Sequence, residues 1–118
     1  MVLNIDYEDI FNNIGLWLGI LRTEEVEVEN EDYSRLLVLP DAFYLKNDGW
    51  YTNHRTLKFT KAFTDWGTID GVAMFQNNQD GKILGKEKYE YKYRVCQYTE
   101  VVFLSNNFNI KFESGLLT

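Results

Sequence analysis

The feature that most constrains this fold is a change of period. From Gly15 onward, apolar residues recur at every second position, and turn residues interrupt the pattern about once every dozen residues. Leu16, Leu18 and Ile20 alternate with Trp17, Gly19 and Leu21, a run apolar on both faces and so expected to be a central strand. Arg35 to Leu39 is a second short apolar run, ended by Pro40, which cannot donate to a sheet ladder. Glu25-Val26-Glu27-Val28-Glu29 alternates strictly and is expected to turn its acids to water. Arg55 to Ala62 sets Leu57 and Phe59 on one face, and Thr68 to Phe75 sets Ile69, Gly71, Ala73 and Phe75 opposite Val72 and Met74.

Asn47-Asp48-Gly49 and Asn77-Asn78-Gln79-Asp80-Gly81 are turn clusters that tolerate positive φ. The second is expected to fold the chain back into Lys82 to Leu84 as a hairpin. Lys86, Lys88, Glu90, Lys92 and Arg94 then alternate with Tyr89, Tyr91 and Tyr93, which predicts a wet charged face and a half-buried tyrosine face. Val101 with Phe103, and Phe108 with Ile110 and Phe112, add two strands across an Asn106-Asn107 turn. Only before Gly15 does a helical period hold. Tyr7, Ile10, Phe11 and Ile14 share a face, Asp6 is expected to cap a helix over Asp6 to Asn13, and Asn12, Asn13 and Gly15 stop it. The expectation is all-β: a jelly-roll-like, single-domain β-sandwich of about eight short strands with a short N-terminal helix. Residues 1–118 form one domain, with a helical segment at 1–14, the sandwich at 15–113 and a tail at 114–118.

Composition narrows the chemistry. The 8 Phe, 8 Tyr and 3 Trp give a 118-residue chain ample core material without staples. A lone Cys96 closes no intrachain disulfide, and a lone His54 supplies no Cys/His metal cluster. A net charge of −6 argues against nonspecific nucleic-acid binding. No apolar run reaches the roughly 18 residues of a membrane span, and Met1 to Ile10 carries acids where a secretory signal carries bases. Neither nucleic acid nor membrane is therefore expected as a partner, and synthesis in the cytosol is.

The residues that could carry chemistry have simpler readings. A triad needs a base beside a nucleophile, and His54 lies in a Thr-Asn-His-Arg stretch by a turn. Cys96, near a strand end, reads as a small buried hydrophobe. No pair of carboxylates is singled out for glycoside hydrolysis. Gly67-x3-Gly71 lacks the Lys and the helix of a phosphate loop. Six of the 18 acids fall in Glu24, Glu25, Glu27, Glu29, Glu31 and Asp32; the central Gly of a calcium loop is missing, and a solvated edge strand is the reading. The Lys/Tyr run from Lys86 to Arg94 resembles a single-strand nucleic-acid platform, but strand geometry sends its rings and cations to opposite faces. No catalytic residue, metal ligand or cofactor is expected.

The most informative motif is Ala62-Phe63-Thr64-Asp65-Trp66-Gly67-Thr68-Ile69. Asp65 can accept hydrogen bonds from turn amides, Gly67 permits a bend, and Trp66 can fill the space beneath it, so Asp65, Trp66, Gly67 and Thr68 read as a folding corner. With this corner the chain resembles a family of small bacteriophage virion proteins, of tail-fibre or head-decoration type, whose hallmark is an Asp-Trp-Gly-Thr-Ile corner. Leu16-Trp17-Leu18-Gly19-Ile20-Leu21-Arg22-Thr23 resembles the family's first strand, and Tyr33-Ser34-Arg35 its Tyr-small-Arg signature. Leu57-x-Phe59, Gly71 with Phe75, Gly81, Leu84-Gly85 and Val101-x-Phe103 follow in the same order, so the resemblance runs from residue 14 to 113. Glu29-Asn30-Glu31-Asp32 replaces the family's Gly-rich turn, and Lys86 to Tyr98 is more charged and Tyr-rich than the family pattern.

The resemblance implies a β-sandwich that assembles on the virion as a symmetric oligomer, with no enzyme activity and no cofactor. The leading expectation is a capsid decoration protein that stabilises the head, found in the virion and, during assembly, in the host cytoplasm. Its expected partners are further copies of itself, as a trimer, and the major capsid protein or other virion proteins. The acidic and basic runs (Glu25, Glu27 and Glu29 against Lys86, Lys88, Lys92 and Arg94) are candidate partners within or between subunits. The alternative is a tail or head fibre or receptor-binding module that contacts host surface glycans through Trp50 and Tyr51, expected to be exposed.

Overall fold

Leu16 to Leu21 needs apolar neighbours on every side, and the fold is arranged around that need. The computed structural model describes residues 1–114, of which 45% is strand. The first half of the chain contributes β1 (Val2–Asn4), helix α1 (Glu8–Ile14), β2 (Leu16–Arg22), β3 (Val26–Glu27), β4 (Leu36–Val38), β5 (Phe43–Leu45), β6 (Trp50–Asn53) and β7 (Leu57–Lys58). The second half contributes β8 (Gly67–Phe75), β9 (Gly85–Val95), β10 (Val102–Phe103) and β11 (Asn109–Glu113). The fold is thus all-β with one short helix, and among the described residues it has eleven strands where about eight were expected.

In the five-stranded sheet, β2 is central. Its one edge pairs antiparallel with β8, from Trp17 opposite Phe75 to Arg22 opposite Ile69, and its other edge is shared by β4 and β3. β9 then pairs with the far edge of β8. A four-stranded sheet runs in the order β1-β11-β6-β5, and β10 pairs with β7 in a third, two-stranded sheet. One core joins all three: Leu3, Phe11, Leu18, Trp66, Met74 and Ile110 are among its buried members. At about 25 cal/mol per Å² of apolar area removed from water, such burial is the main term holding the sheets together.

Several expectations are corrected by distant partners. The first 14 residues are not simply helical, because Leu3 is fully buried and β1 lies parallel to β11, with Leu3 opposite Phe112. The chain therefore leaves β1 through a 3-10 turn at Ile5–Tyr7 before α1 begins. Asp6 is not the cap: Asn4 accepts a hydrogen bond from the Asp6 amide at 2.9 Å. Phe11 is buried on the helix's inner face, whereas Ile14 is left exposed. The strand expected at Glu25–Glu29 shrinks to β3, because Glu24 and Glu25 adopt positive φ. Lys82 to Leu84 does not form a strand; the Asp80-Gly81 turn returns the chain, and the ladder with β8 starts at Gly85 opposite Met74. Of Arg55–Ala62 only Leu57–Lys58 is strand, extended by the Phe59 amide to the Val101 carbonyl at 3.0 Å. β10 and β11, either side of the Asn106-Asn107 turn, pair with β7 and β6 rather than with each other. Residues 115–118 of the expected tail lie outside the described residues.

Strand β9 departs most from its pattern. Lys88 lies opposite Gly71 and Tyr93 opposite Ile69, so Tyr89, Glu90, Tyr91 and Lys92 have only Asp70 across from them. This bulge breaks the alternation. Tyr89 points into the protein, while Tyr91 and Tyr93 are turned out and exposed. Cys96, expected to be buried, is exposed, because it lies just past the end of β9 in a turn closed by the Thr99 amide on the Cys96 carbonyl.

Candidate functional site

Tyr33 and Arg35 link the motifs that carry the resemblance along the larger sheet, from the corner at the start of β8 to the turn that follows its end. At the corner, Gly67 takes φ 87°, a left-handed conformation that a Cβ disfavours, and its amide donates to Asp65 Oδ1 at 2.8 Å. Trp66 fills the space beneath, 1% exposed, with its amide on the Val95 carbonyl at 2.9 Å. Asp65 also pairs with Arg94, whose hydrogen bond, with that from Gly67, holds the Asp65 carboxyl below the usual carboxylate range.

A second acid completes the corner. Asp32 Oδ2 accepts from the Phe63 amide and, at 2.9 Å, from the Thr64 amide. Its Oδ1 accepts from Thr64 Oγ1 at 2.8 Å and from the Trp66 indole Nε1 at 3.1 Å. Desolvation raises the Asp32 pKa, but these four donors outweigh it and leave the carboxyl far below its ordinary value. Asn30 adds a brace, its Nδ2 donating to Thr64 Oγ1 at 2.9 Å and to the Asp65 carbonyl at 3.0 Å. The segment read as a solvated acidic run is thus, at Asn30 and Asp32, the clamp of the corner.

Tyr33 and Arg35 leave this clamp in the other direction. The Tyr33 ring meets Trp66 edge-on at 5.3 Å between centroids. Its hydroxyl donates to Glu27 Oε2 at 2.6 Å and accepts from the Ile20 amide at 2.9 Å. Desolvation first, and then the Glu27 carboxylate, push the Tyr33 pKa well above normal. Arg35, whose side chain is only 6% exposed, grips Glu27 with two bonds, Nε to Oε2 at 2.9 Å and Nη2 to Oε1 at 2.8 Å. Its Nη1 donates to the carbonyls of Asn77 and Asp80 at 2.9 and 2.8 Å, which fixes the β8–β9 turn, and its guanidinium lies 3.4 Å over the Phe75 ring. Gly19 makes room for this assembly: a Cβ there would come within 2.6 Å of Glu27 Oε2 and 2.9 Å of Phe75. Glu27 therefore does not face water as the alternation predicted.

Glu25 pairs with Lys86 at 2.7 Å inside the chain, a contact that lowers the Glu25 pKa. Four of the candidate interface residues are so engaged internally: Glu25 and Lys86 with each other, Glu27 with Arg35, and Arg94 with Asp65. Among the described residues no ion pair holds Glu29, Lys88 or Lys92. Trp50 and Tyr51 are half-buried rather than exposed. Tyr51 packs edge-on against Phe11 and Phe112 and donates to Glu8 Oε2 at 2.9 Å, and Lys111 Nζ sits 5.8 Å from the Trp50 ring centre. His54 is exposed, with Nε2 2.8 Å from the Asp41 carbonyl oxygen. Sequence reasoning missed Asn53, fully buried, which receives the Phe108 amide on Oδ1 at 2.8 Å and donates to the carbonyls of Arg55 and Leu104.

A concave feature apart from these braces lies between β9 and the returning segment 99–103. It is a groove of about 450 Å³ lined by Ile69, Tyr89, Tyr93, Val95, Val101 and Phe103, with Arg94 and Glu100 at its polar side. Among the described residues no group of three or more His, Cys, Asp or Glu side chains is placed to hold a metal ion, and no helix is long and apolar enough to cross a membrane. Compared with models of known families, with characterised proteins and with solved structures, the chain matches none.

Proposed function

We propose that this chain is a non-enzymatic structural protein of a bacteriophage particle, a capsid decoration protein that stabilises the head. The observation that carries this reading is how the residues of the family resemblance are used. Asp65, Trp66, Tyr33 and Arg35 are all committed to bracing, through Asp32 and Glu27, and none is left poised toward a reacting group. A shell protein needs that rigidity, because its contacts must hold one geometry under load. The exposed apolar side chains support the same reading. Phe63 and Tyr98 stack edge-on at the surface, and Tyr91 and Leu104 are also open, an amount of apolar surface that further copies or the capsid would cover. The oligomer expected is a trimer, matching local threefold positions on an icosahedral shell.

Immunogold labelling of phage particles with antibody against the chain should decorate heads. Label confined to tails would favour a fibre, and unlabelled particles would remove the virion reading. Sedimentation equilibrium should return a trimer. A clean monomer at high micromolar concentration that also ignores purified capsids would overturn the assembly.

A further inference from the structure

The chain contains three Asp-Gly steps, at Asp48–Gly49, Asp70–Gly71 and Asp80–Gly81, and the fold treats them differently. Such a step is open to an internal reaction, because glycine has no Cβ to shield its amide nitrogen from the carboxyl group before it. At Asp48–Gly49 both reacting groups are held. The Gly49 amide donates to the Lys46 carbonyl at 3.0 Å, and Asp48 Oδ1 accepts from the Trp50 amide at 3.1 Å. At Asp70–Gly71 the main chain is held. Gly71 lies within β8, paired with Leu21 on one side and Lys88 on the other, and a Cβ on it would meet the Glu87 carbonyl oxygen at 2.6 Å, so the backbone has no room to turn. At Asp80–Gly81 neither group is held. Both residues are exposed in the turn after β8, and among the described residues neither the Asp80 carboxylate nor the Gly81 amide has a hydrogen-bond or ion-pair partner. Arg35 holds the Asp80 carbonyl oxygen at 2.8 Å, but that atom remains an acceptor when the step reacts.

We propose that Asp80–Gly81 is a self-modification site, at which the folded chain converts aspartate to isoaspartate. The Gly81 nitrogen, its proton lost to water, attacks Asp80 Cγ in the neutral carboxylic acid. The N–Cγ bond forms, the Cγ–O bond breaks and water leaves, which closes a succinimide ring. Water then adds to the main-chain carbonyl carbon of Asp80 and breaks its bond to nitrogen. The chain now runs through the Asp80 side chain, and the former carbonyl is a carboxylate. Water is the only other reactant, nothing is oxidised or reduced, and the mass of the chain is unchanged. The added main-chain carbon falls between the Asn77 carbonyl, which Arg35 holds, and Gly85, where the ladder with β8 starts, so the modification loosens that turn. This inference does not depend on the decoration reading, because it is read from the covalent chemistry of the isolated chain.

The test holds the folded whole chain at neutral pH for several weeks, digests it, and locates isoaspartate by electron-transfer fragmentation of the peptides that carry Asp48, Asp70 and Asp80. Isoaspartate should build up at Asp80 roughly tenfold faster than at Asp48, the size expected for the two hydrogen bonds that must first break there, and should not appear at Asp70. In guanidinium chloride, where those restraints are gone, all of these sites should convert at similar rates. Asp80→Asn should convert faster, because its amide leaves as ammonia, and should melt with the parent because the carboxylate it replaces has no partner. Equal conversion at Asp48 or Asp70 in the folded chain, no conversion at any site, a preference for Asp80 that persists in guanidinium chloride, or an Asp80→Asn variant that stays unconverted would each overturn the proposal.

Discussion

Replacing Arg35 by Met tests whether the Glu27–Arg35–Tyr33 assembly holds the larger sheet in shape. Met keeps much of the volume over Phe75 but removes every donor. Glu27, with 22% of its side chain exposed, would lose both bonds to Arg35 and keep only the Tyr33 hydroxyl. Removing one partner of a buried pair costs about 3–5 kcal/mol, and Glu27 is somewhat wetter than such pairs, which places the expectation at about 3 kcal/mol. The Asn77 and Asp80 carbonyls lose their donor too, but they lie at the surface and water replaces it, so they add little. For a domain near this size, 1 kcal/mol moves the melting temperature by roughly 4 °C, and the variant should melt about 12 °C lower. The paired control is Glu27→Gln, which keeps an acceptor for Tyr33. Combined with Arg35→Met it should cost less than the sum of the two single changes, by about 1–3 kcal/mol, because no uncompensated carboxylate is left. Urea unfolding followed by tryptophan fluorescence measures all four proteins. Strict additivity, or an Arg35→Met melt within two degrees of the parent, would show that the assembly is ornamental to stability.

Trp66→Ala removes a fully buried indole and its bond to Asp32, and should cost about 3–5 kcal/mol by denaturant unfolding. Gly19→Ala should cost about 1–3 kcal/mol and loosen Tyr33, seen as new solvent exchange at the Ile20 amide that its hydroxyl now accepts from. Asp32, Asp65, Glu25 and Glu100 all have folded pKa values below their ordinary range. Their contribution is therefore present above about pH 4, the range in which unfolded carboxyls titrate, and is lost as pH falls through the lower folded values. Melting temperature should hold steady down to about pH 5 and then fall. Asp32→Asn should be less stable at neutral pH and lose less below pH 4, and an unchanged acid slope in that variant would remove Asp32 from the account.

Where the sequence can be read and where it cannot follows from whether a residue's environment is local. β2 and β8 were legible because both of their faces are apolar, and that pattern needs no knowledge of the partner. The corner was legible because Asp65, Gly67 and Trp66 interact within three residues of one another. β1 was not, since three residues carry no period and its neighbour β11 lies at the opposite end of the chain. Glu27 and Asp32 were hidden for the same reason: alternation and charge density describe a solvated strand, while the Arg35 guanidinium and the donors of residues 63–66 that claim them enter only in three dimensions. The Tyr-small-Arg signature did mark Arg35, yet nothing local to it names Glu27 as its partner. The outward turn of Tyr91 and Tyr93 depends on a bulge opposite Asp70, which two-residue alternation cannot anticipate.

The parallel pairing of β1 with β11 also sets a clock on the making of this protein. Leu3 leaves the ribosome about a hundred residues before Phe112, a delay of roughly 5 to 20 s at synthesis rates of about 5–20 residues per second. Until then the edge of β6 that β11 will cover stands bare, and the four-stranded sheet is missing one of its two inner strands. The unfinished chain must be sheltered or must wait, and in that interval the bare edge is open to the β11 of a sister chain.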